Sequence, residues 1–105
     1  MIYELRVYHM NPGKLEAICG RFSNHTLRIF KRLGMKVVSF WVDAEGKESL
    51  YYVMEFKDKD EQAKLWKEFA SDPEWVKAKA DSEVDGKIVA QVISNTMEIA
   101  PFFKG

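Results

Sequence analysis

The stretch of sequence that most constrains the fold is the alternating segment at residues 2–8. A period of two residues predicts a β-strand, whose successive side chains point to opposite faces. The two faces differ in character and consist of Tyr3, Leu5 and Val7 on one side and Ile2, Glu4, Arg6 and Tyr8 on the other. We expect a central strand whose apolar face packs on helices and whose charged face points towards a second sheet. The partly closed space around Glu4 and Arg6 is then the best candidate for a functional site.

The composition excludes several classes of partner. The 105 residues fit one domain spanning residues 1–105. Sixteen basic residues balance sixteen acidic ones without a long block of either sign, so neither nucleic acid nor an anionic membrane surface is an expected partner. No apolar run approaches the roughly 18 residues of a membrane span. The single cysteine, Cys19, cannot form an intrachain disulfide, and no secretory leader is recognisable, so we expect a cytoplasmic location.

A long helix is predicted after the first strand. Asn11 is a suitable N-cap, and Pro12 suits the first helical position. An apolar stripe follows at spacings of three and four residues, comprising Leu15, Ile18, Cys19, Phe22, Thr26, Ile29, Phe30 and Leu33. Gly34 is the expected end of this helix.

Two strands, two helices and a last strand are predicted in the remainder. Residues 35–42 and 50–56 are rich in β-branched and aromatic side chains and are joined by a polar turn. Asp58, with Glu61 three residues later, indicates a helix to about Ala70. Asp72 and Pro73 begin a shorter helix to about Ser82, with Trp75 and Val76 facing inward. Residues 87–99 form the last strand.

This order of elements predicts an α+β fold of the ferredoxin-like, split βαβ type. The βαββαβ chain would form a four-stranded antiparallel sheet with both helical segments on one face. The other face would be left bare. Because we place Trp41, Tyr52 and Met54 on that bare face, we expect it to pack against the sheet of a second copy, giving a homodimeric α+β barrel.

A set of short motifs resembles the NIPSNAP family of the dimeric α+β barrel superfamily. The motifs are Tyr3-Glu4-Leu5-Arg6-x-Tyr8, Pro12-Gly13, His25, Gly34, Trp41, Gly46 and Asp72-Pro73-x-Trp75, and they cover nearly the whole chain. The resemblance implies a ferredoxin-like protomer whose sheet closes with a partner's into a barrel. It also implies a pocket, either between sheet and helices or within the barrel. Relatives in the superfamily include cofactor-independent monooxygenases and haem-handling enzymes, so a monooxygenase-like activity is an expectation by analogy alone.

Arg6 and His25 are the candidate catalytic residues. Arg6 presents a planar guanidinium able to hold a carboxylate or an enolate oxygen, although a structural ion pair with Glu4 explains the pattern equally well. His25 flanks the apolar stripe of the first helix, where an imidazole can act as acid or base or can simply lie at the edge of the core. The candidate pocket residues are Glu4, Tyr8, Trp41 and Trp66, the tryptophans having core or interface packing as their alternative role.

Metal and nucleophile chemistry find no support in the sequence. The two histidines lie sixteen residues apart, and no zinc or calcium motif is present. Cys19 lies within the apolar stripe, where a thiol is usually inert. We predict no cofactor. The leading hypothesis is therefore a dimer that binds or oxidises a small, flat, apolar molecule, and the alternative is a non-enzymatic dimeric interaction module.

Overall fold

Four antiparallel strands form one sheet in the order β2-β3-β1-β4, with the helices on a single face. The computed structural model describes residues 1–104. Its elements in chain order are β1 (Ile2–Met10), α1 (Leu15–Arg21), a π-helical segment (Phe22–Thr26), α2 (Leu27–Leu33), β2 (Lys36–Val42), β3 (Ser49–Phe56), α3 (Lys59–Ser71), α4 (Pro73–Ser82) and β4 (Val89–Met97). The predicted α+β fold is confirmed, and β1 is indeed central, since it pairs with β3 on one side and β4 on the other.

The charged face of β1 lies under the helices, which is opposite to the prediction. Glu4 is only 3% exposed and accepts hydrogen bonds from two side chains of α3, Gln62 and Trp66. Alternation defines two faces but does not say which is covered, and the donors on α3 make burial of this carboxylate tolerable. The face with Tyr3, Leu5 and Val7 is therefore the open one.

The same correction applies to β3. Tyr52 and Met54 were predicted on the bare face but are fully buried under the helices, because they pair in register with Arg6 and Glu4 of β1. Trp41 was placed correctly on the open face, where it is 50% exposed. The core thus lies between the sheet and the helices, with its most buried large side chains being Tyr52, Phe30, Phe56, Ile18, Ile29, Met54 and Ile88.

The first helix begins later than predicted and contains a wide turn. Asn11 does not cap it: the Lys14 N–H donates to the Asn11 carbonyl (3.1 Å), closing a turn in which Gly13 has a φ of +79°. The Asn11 side chain instead donates to the Lys87 carbonyl (2.7 Å), which fixes the approach to β4. The π-helical segment interrupts the regular spacing between α1 and α2. Gly34, also at φ +79°, ends α2 as predicted.

The capping predictions for α3 and α4 are confirmed. The Asp58 side chain accepts from the Glu61 N–H at 2.8 Å, and the Asp72 side chain accepts from the Trp75 N–H at 3.1 Å. Trp75 packs its ring on Phe69, with centroids 4.6 Å apart. Val76 was predicted to face inward but is 53% exposed. The caps therefore determine where α4 starts, whereas packing on α3 determines which side of it is buried.

Candidate functional site

A cavity of about 470 Å³ lies between the edge of the sheet at β4 and the helices α3 and α4. This volume falls within the range of small-molecule sites, roughly 300–1,000 Å³. Its lining includes the aromatic rings of Trp66, Phe69 and Trp75 and the polar side chains of Arg6, Tyr8 and Arg21. The site exists because β4 is an edge strand that the helix layer does not cover fully.

Arg6 projects from the central strand into this cavity, with much of its hydrogen-bonding capacity in use. Its Nε donates to the Tyr52 hydroxyl at 2.8 Å, and one terminal nitrogen donates to Glu4 Oε2 at 2.9 Å. The other terminal nitrogen lies 3.4 Å from the Tyr8 hydroxyl. The guanidinium also lies over the ring of Trp66, 4.4 Å from its centroid. Burial opposes the charge, but Tyr52, Tyr8 and Glu4 together raise the pKa of Arg6, so it stays cationic.

Glu4, behind Arg6, is a saturated carboxylate. Oε1 accepts from Trp66 Nε1 (2.7 Å) and Gln62 Nε2 (2.8 Å). Oε2 accepts from the Ser94 hydroxyl (2.6 Å) in addition to Arg6. Burial alone would raise the pKa of Glu4, but the hydrogen bonds, led by that from Ser94, hold it below its usual value. A carboxylate with four donors and a low pKa is poorly suited to accept a proton from a ligand.

Two phenols complete the floor of the site. The hydroxyls of Tyr8 and Tyr52 are 2.8 Å apart, and their rings meet edge to face with centroids 5.4 Å apart. Burial raises the pKa of Tyr52 well above its usual value, and the nearby Tyr8 adds to the shift. Tyr52 is therefore a neutral phenol that supports Arg6 from below, whereas Tyr8 reaches the cavity itself.

Arg21 is a cavity residue that sequence reasoning missed. Its side chain is only 4% exposed, and one terminal nitrogen donates to the Ser82 hydroxyl at 3.2 Å. The guanidinium lies 5.0 Å from the ring centroid of Trp75. Within residues 1–104 its Nε has no hydrogen-bond partner. Burial lowers the pKa of Arg21, and the nearby Glu83 only partly offsets this. The sequence places Arg21 beside the apolar stripe of α1, which was the one indication that it could be buried. The residues that bury it belong to α4, about sixty residues later.

The structure brings together some of the predicted site residues and separates others. Arg6, Tyr8 and Trp66 line the cavity, and Glu4 supports it from behind. His25 lies in the π-helical segment and does not line this cavity. Trp41 lies on the opposite face of the sheet. The cavity therefore draws its aromatic walls from α3 and α4 rather than from β2.

Residues 1–104 contain no cluster of three or more His, Cys, Asp or Glu side chains that could bind a metal ion. Over the same range, no helix combines the length and apolar character needed to cross a membrane.

Comparison with known proteins identifies the family. The NIPSNAP family model matches residues 3–104, almost the entire sequence. The chain belongs to the NIPSNAP family. Two solved NIPSNAP structures show how closely the fold is shared. A NIPSNAP domain protein from Burkholderia xenovorans superposes with a TM-score of 0.84 at 20% identity, covering 100% of both chains. A NIPSNAP family protein from Agrobacterium tumefaciens gives 0.83 at 17% identity, covering 96% of this chain and 94% of that one.

A more distant likeness extends the fold beyond NIPSNAP proteins. An antibiotic biosynthesis monooxygenase superposes with a TM-score of 0.68 at 9% identity, covering 96% of this chain and 100% of the other. At such low identity the likeness concerns the ferredoxin-like fold alone. No curated protein matches the sequence significantly. The match of the family model confirms the resemblance of the motifs to NIPSNAP proteins.

Proposed function

We propose that this NIPSNAP protein is a homodimer that binds a small, flat, largely apolar molecule in the cavity of each protomer. The observation that carries the proposal is the cavity itself, in which Trp66, Phe69 and Trp75 face the polar groups of the sheet. Ligand sites in proteins are mostly apolar concavities with a few placed polar groups, and this cavity has that composition. Aromatic walls favour a flat ligand, because offset stacking on rings gives both contact area and orientation.

Binding is better supported than oxidation. Deprotonation of a bound substrate needs a free proton acceptor within hydrogen-bond reach. Beside Arg6, the Glu4 carboxylate already has four donors, and Tyr52 is a neutral phenol without access to the cavity. Glu83 lines the cavity, but its carboxylate is paired with both Arg21 and Lys79 and so is not a free base. The fold likeness to a monooxygenase does not supply the missing base. We therefore place ligand binding first and cofactor-free oxidation second.

The homodimer is proposed from the open face of the sheet. Trp41, Ile93 and Met97 are exposed there, in line with Leu5 and Val7 of the central strand. Apolar side chains on one continuous sheet face favour a partner, and two such faces can pack at the usual spacing of about 10 Å. A second copy supplies the same surface by two-fold symmetry. If this surface were the whole function, the protein would be an interaction module that binds no ligand.

A thermal-shift screen of the purified protein against flat aromatic compounds separates these functions. A compound at a hundred times its dissociation constant is expected to stabilise the fold by about 2.7 kcal/mol. Ala90→Trp would fill the cavity from β4, whereas Ala63→Trp places the same ring on an exposed position of α3. We expect the stabilisation to be lost in Ala90→Trp and kept in Ala63→Trp. A screen without any stabilising compound would favour the interaction module.

A further inference from the structure

The two arginines that line the cavity differ in how far their charge is already matched. Arg6 donates to a carboxylate oxygen at 2.9 Å and to a phenol at 2.8 Å, and a second phenol lies 3.4 Å away. Its counter-charge, Glu4, is buried beside it. Arg6 is therefore an internally satisfied cation whose main partners belong to the sheet.

Arg21 is matched less completely, because its ion pair with Glu83 is longer and is shared with Lys79. Its one hydrogen bond within residues 1–104 goes to a neutral hydroxyl, that of Ser82 at 3.2 Å. The nearest carboxylate oxygen, on Glu83, is 3.6 Å away, and Glu83 is also paired with Lys79 at 3.4 Å. Within residues 1–104, the Nε–H of Arg21 is buried and has no acceptor. A side chain that is 4% exposed thus has one buried donor without a partner and a carboxylate partner beyond hydrogen-bond distance.

A buried guanidinium with so few partners lowers the stability of the fold unless a further acceptor binds it. A buried cation is normally paired and fully hydrogen-bonded, because desolvation of the charge is otherwise not compensated. Arginine cannot escape the cost by releasing its proton at ordinary pH. The reduced pKa of Arg21, caused mainly by burial, points the same way. An anion in the cavity would supply a closer negative charge and an acceptor for the terminal N–H groups of Arg21.

We propose that the ligand is an aromatic carboxylate whose carboxyl group is bound by Arg21. This inference rests on the proposed function, of which it specifies the ligand class. The ring of Trp75, stacked at 5.0 Å on Arg21, orients the guanidinium, and Phe69 and Trp66 provide apolar walls for the body of the ligand. Planar guanidinium groups suit carboxylates because two parallel N–H groups meet two oxygens.

The charge around the cavity agrees with this ligand class. Four cationic side chains but only one acidic side chain line it, although the whole chain is neutral. They are Arg6, Arg21, Lys79 and Lys87, with Glu83 as the acid. The two lysines are exposed and would attract an anion towards the opening. An inorganic anion would use these charges but not the aromatic walls.

Calorimetric titration with three probes tests the ligand class. We expect 2-naphthoate to bind the wild-type protein, and 2-naphthamide, its uncharged isostere, to bind about 10- to 100-fold more weakly, since hydrogen bonds to charged groups contribute most. Inorganic phosphate is expected to bind more weakly than naphthoate. Equal affinities for naphthoate and naphthamide would overturn the anion inference and leave the proposed function intact. Absence of binding by both would overturn this inference, whereas the proposed function would be overturned by a thermal-shift screen in which no flat aromatic compound stabilises the protein.

Two methionine variants test whether Arg21 binds the carboxyl group. Arg21→Met is expected to lose naphthoate affinity by about 10- to 100-fold, and in the absence of ligand to melt no lower than wild type, because it removes an incompletely matched buried charge. Arg28→Met is the control, since Arg28 lies on the exposed side of α2, pairs with Glu74 and does not line the cavity. Arg21→Gln repeats the test should the methionine variant not fold. Unchanged naphthoate affinity in a folded Arg21 variant would overturn the assignment to Arg21.

Discussion

On the helix-covered face of the sheet, β1 buries the ionised Glu4 and Arg6, whereas on the open face the same strand presents Leu5 and Val7. The buried charges are held by side chains of this chain, from α3, β3 and β4. Among residues 1–104, no helix or second sheet covers the apolar residues opposite. One face is therefore completed by this chain itself, and the other is open, which is why we propose a partner for it.

The difference shows that burial does not follow polarity alone. A carboxylate can lie inside a domain when every lone pair has a donor, because satisfied polar networks replace the hydration they lose. An apolar strand face can remain open in a protomer when it serves as an interface. Single substitutions in the Glu4 network are therefore expected to lower the stability of the fold. Charged substitutions on the open face are expected to weaken the proposed dimer.

The largest effect is expected from Glu4→Ala. This substitution leaves Arg6 without its counter-charge and removes the acceptor of three further donors, so we expect a loss of about 3–5 kcal/mol in the free energy of unfolding. Urea denaturation measures it. Glu55→Ala, on the open face of β3, is the matched control and is expected to change stability by about 0.5 kcal/mol or less. Similar losses in both variants would show that the two faces do not differ as described.

The open face is tested by Val7→Glu. In a two-fold interface through the sheets, each copy would place a charged carboxylate in an apolar contact surface. We expect a cost of about 2–4 kcal/mol, or roughly 30- to 1,000-fold in the dimer dissociation constant. Sedimentation velocity at micromolar concentration measures the change. Val84→Glu adds the same charge at an exposed turn and should leave assembly unchanged. A wild-type protein that sediments as a monomer would remove the basis for the proposed dimer.

A pair of tryptophans, one on each face, gives a smaller and sharper comparison. Trp66→Phe keeps a ring under the sheet but removes the Nε1–H that donates to Glu4 at 2.7 Å, so we expect a loss of about 1.5–3 kcal/mol. Trp41→Phe on the open face removes no such bond to a buried charge and should cost less. Equal losses in denaturant would indicate that ring volume, rather than the hydrogen bond to Glu4, determines the effect.

Sequence reasoning succeeded where the controlling chemistry is local. Gly34, Asp58 and Asp72 mark element boundaries because a positive φ or a capping carboxylate acts within one turn of the chain. It failed where distant elements decide. The alternation of β1 defines two faces but does not indicate which of them α3 covers. Arg21 is buried by α4, whose Ser82 lies 61 residues further along the chain. The turn at Pro12-Gly13, which displaced the predicted cap, has a local signal that we misinterpreted.

The smallest expected effect is a pH dependence of the Trp66→Phe loss. The folded-state pKa of Glu4 lies below the ordinary value of 4.5, so its stabilisation is fully present above that pH and is lost as the pH falls through the folded-state pKa. The bond from Trp66 contributes to that lowering, so its share of the stability must be lost over the same range. We therefore expect the stability difference between wild type and Trp66→Phe to be constant from about pH 7 to pH 5 and to shrink as the pH falls through the folded-state pKa of Glu4, below which a protonated carboxyl accepts only an ordinary hydrogen bond. Urea denaturation across this range measures the difference, and Trp41→Phe, which has no contact with Glu4, should show none of this dependence. A difference for Trp66→Phe that persists unchanged at low pH would mean that its indole supports the core by packing and not through the ionised carboxylate.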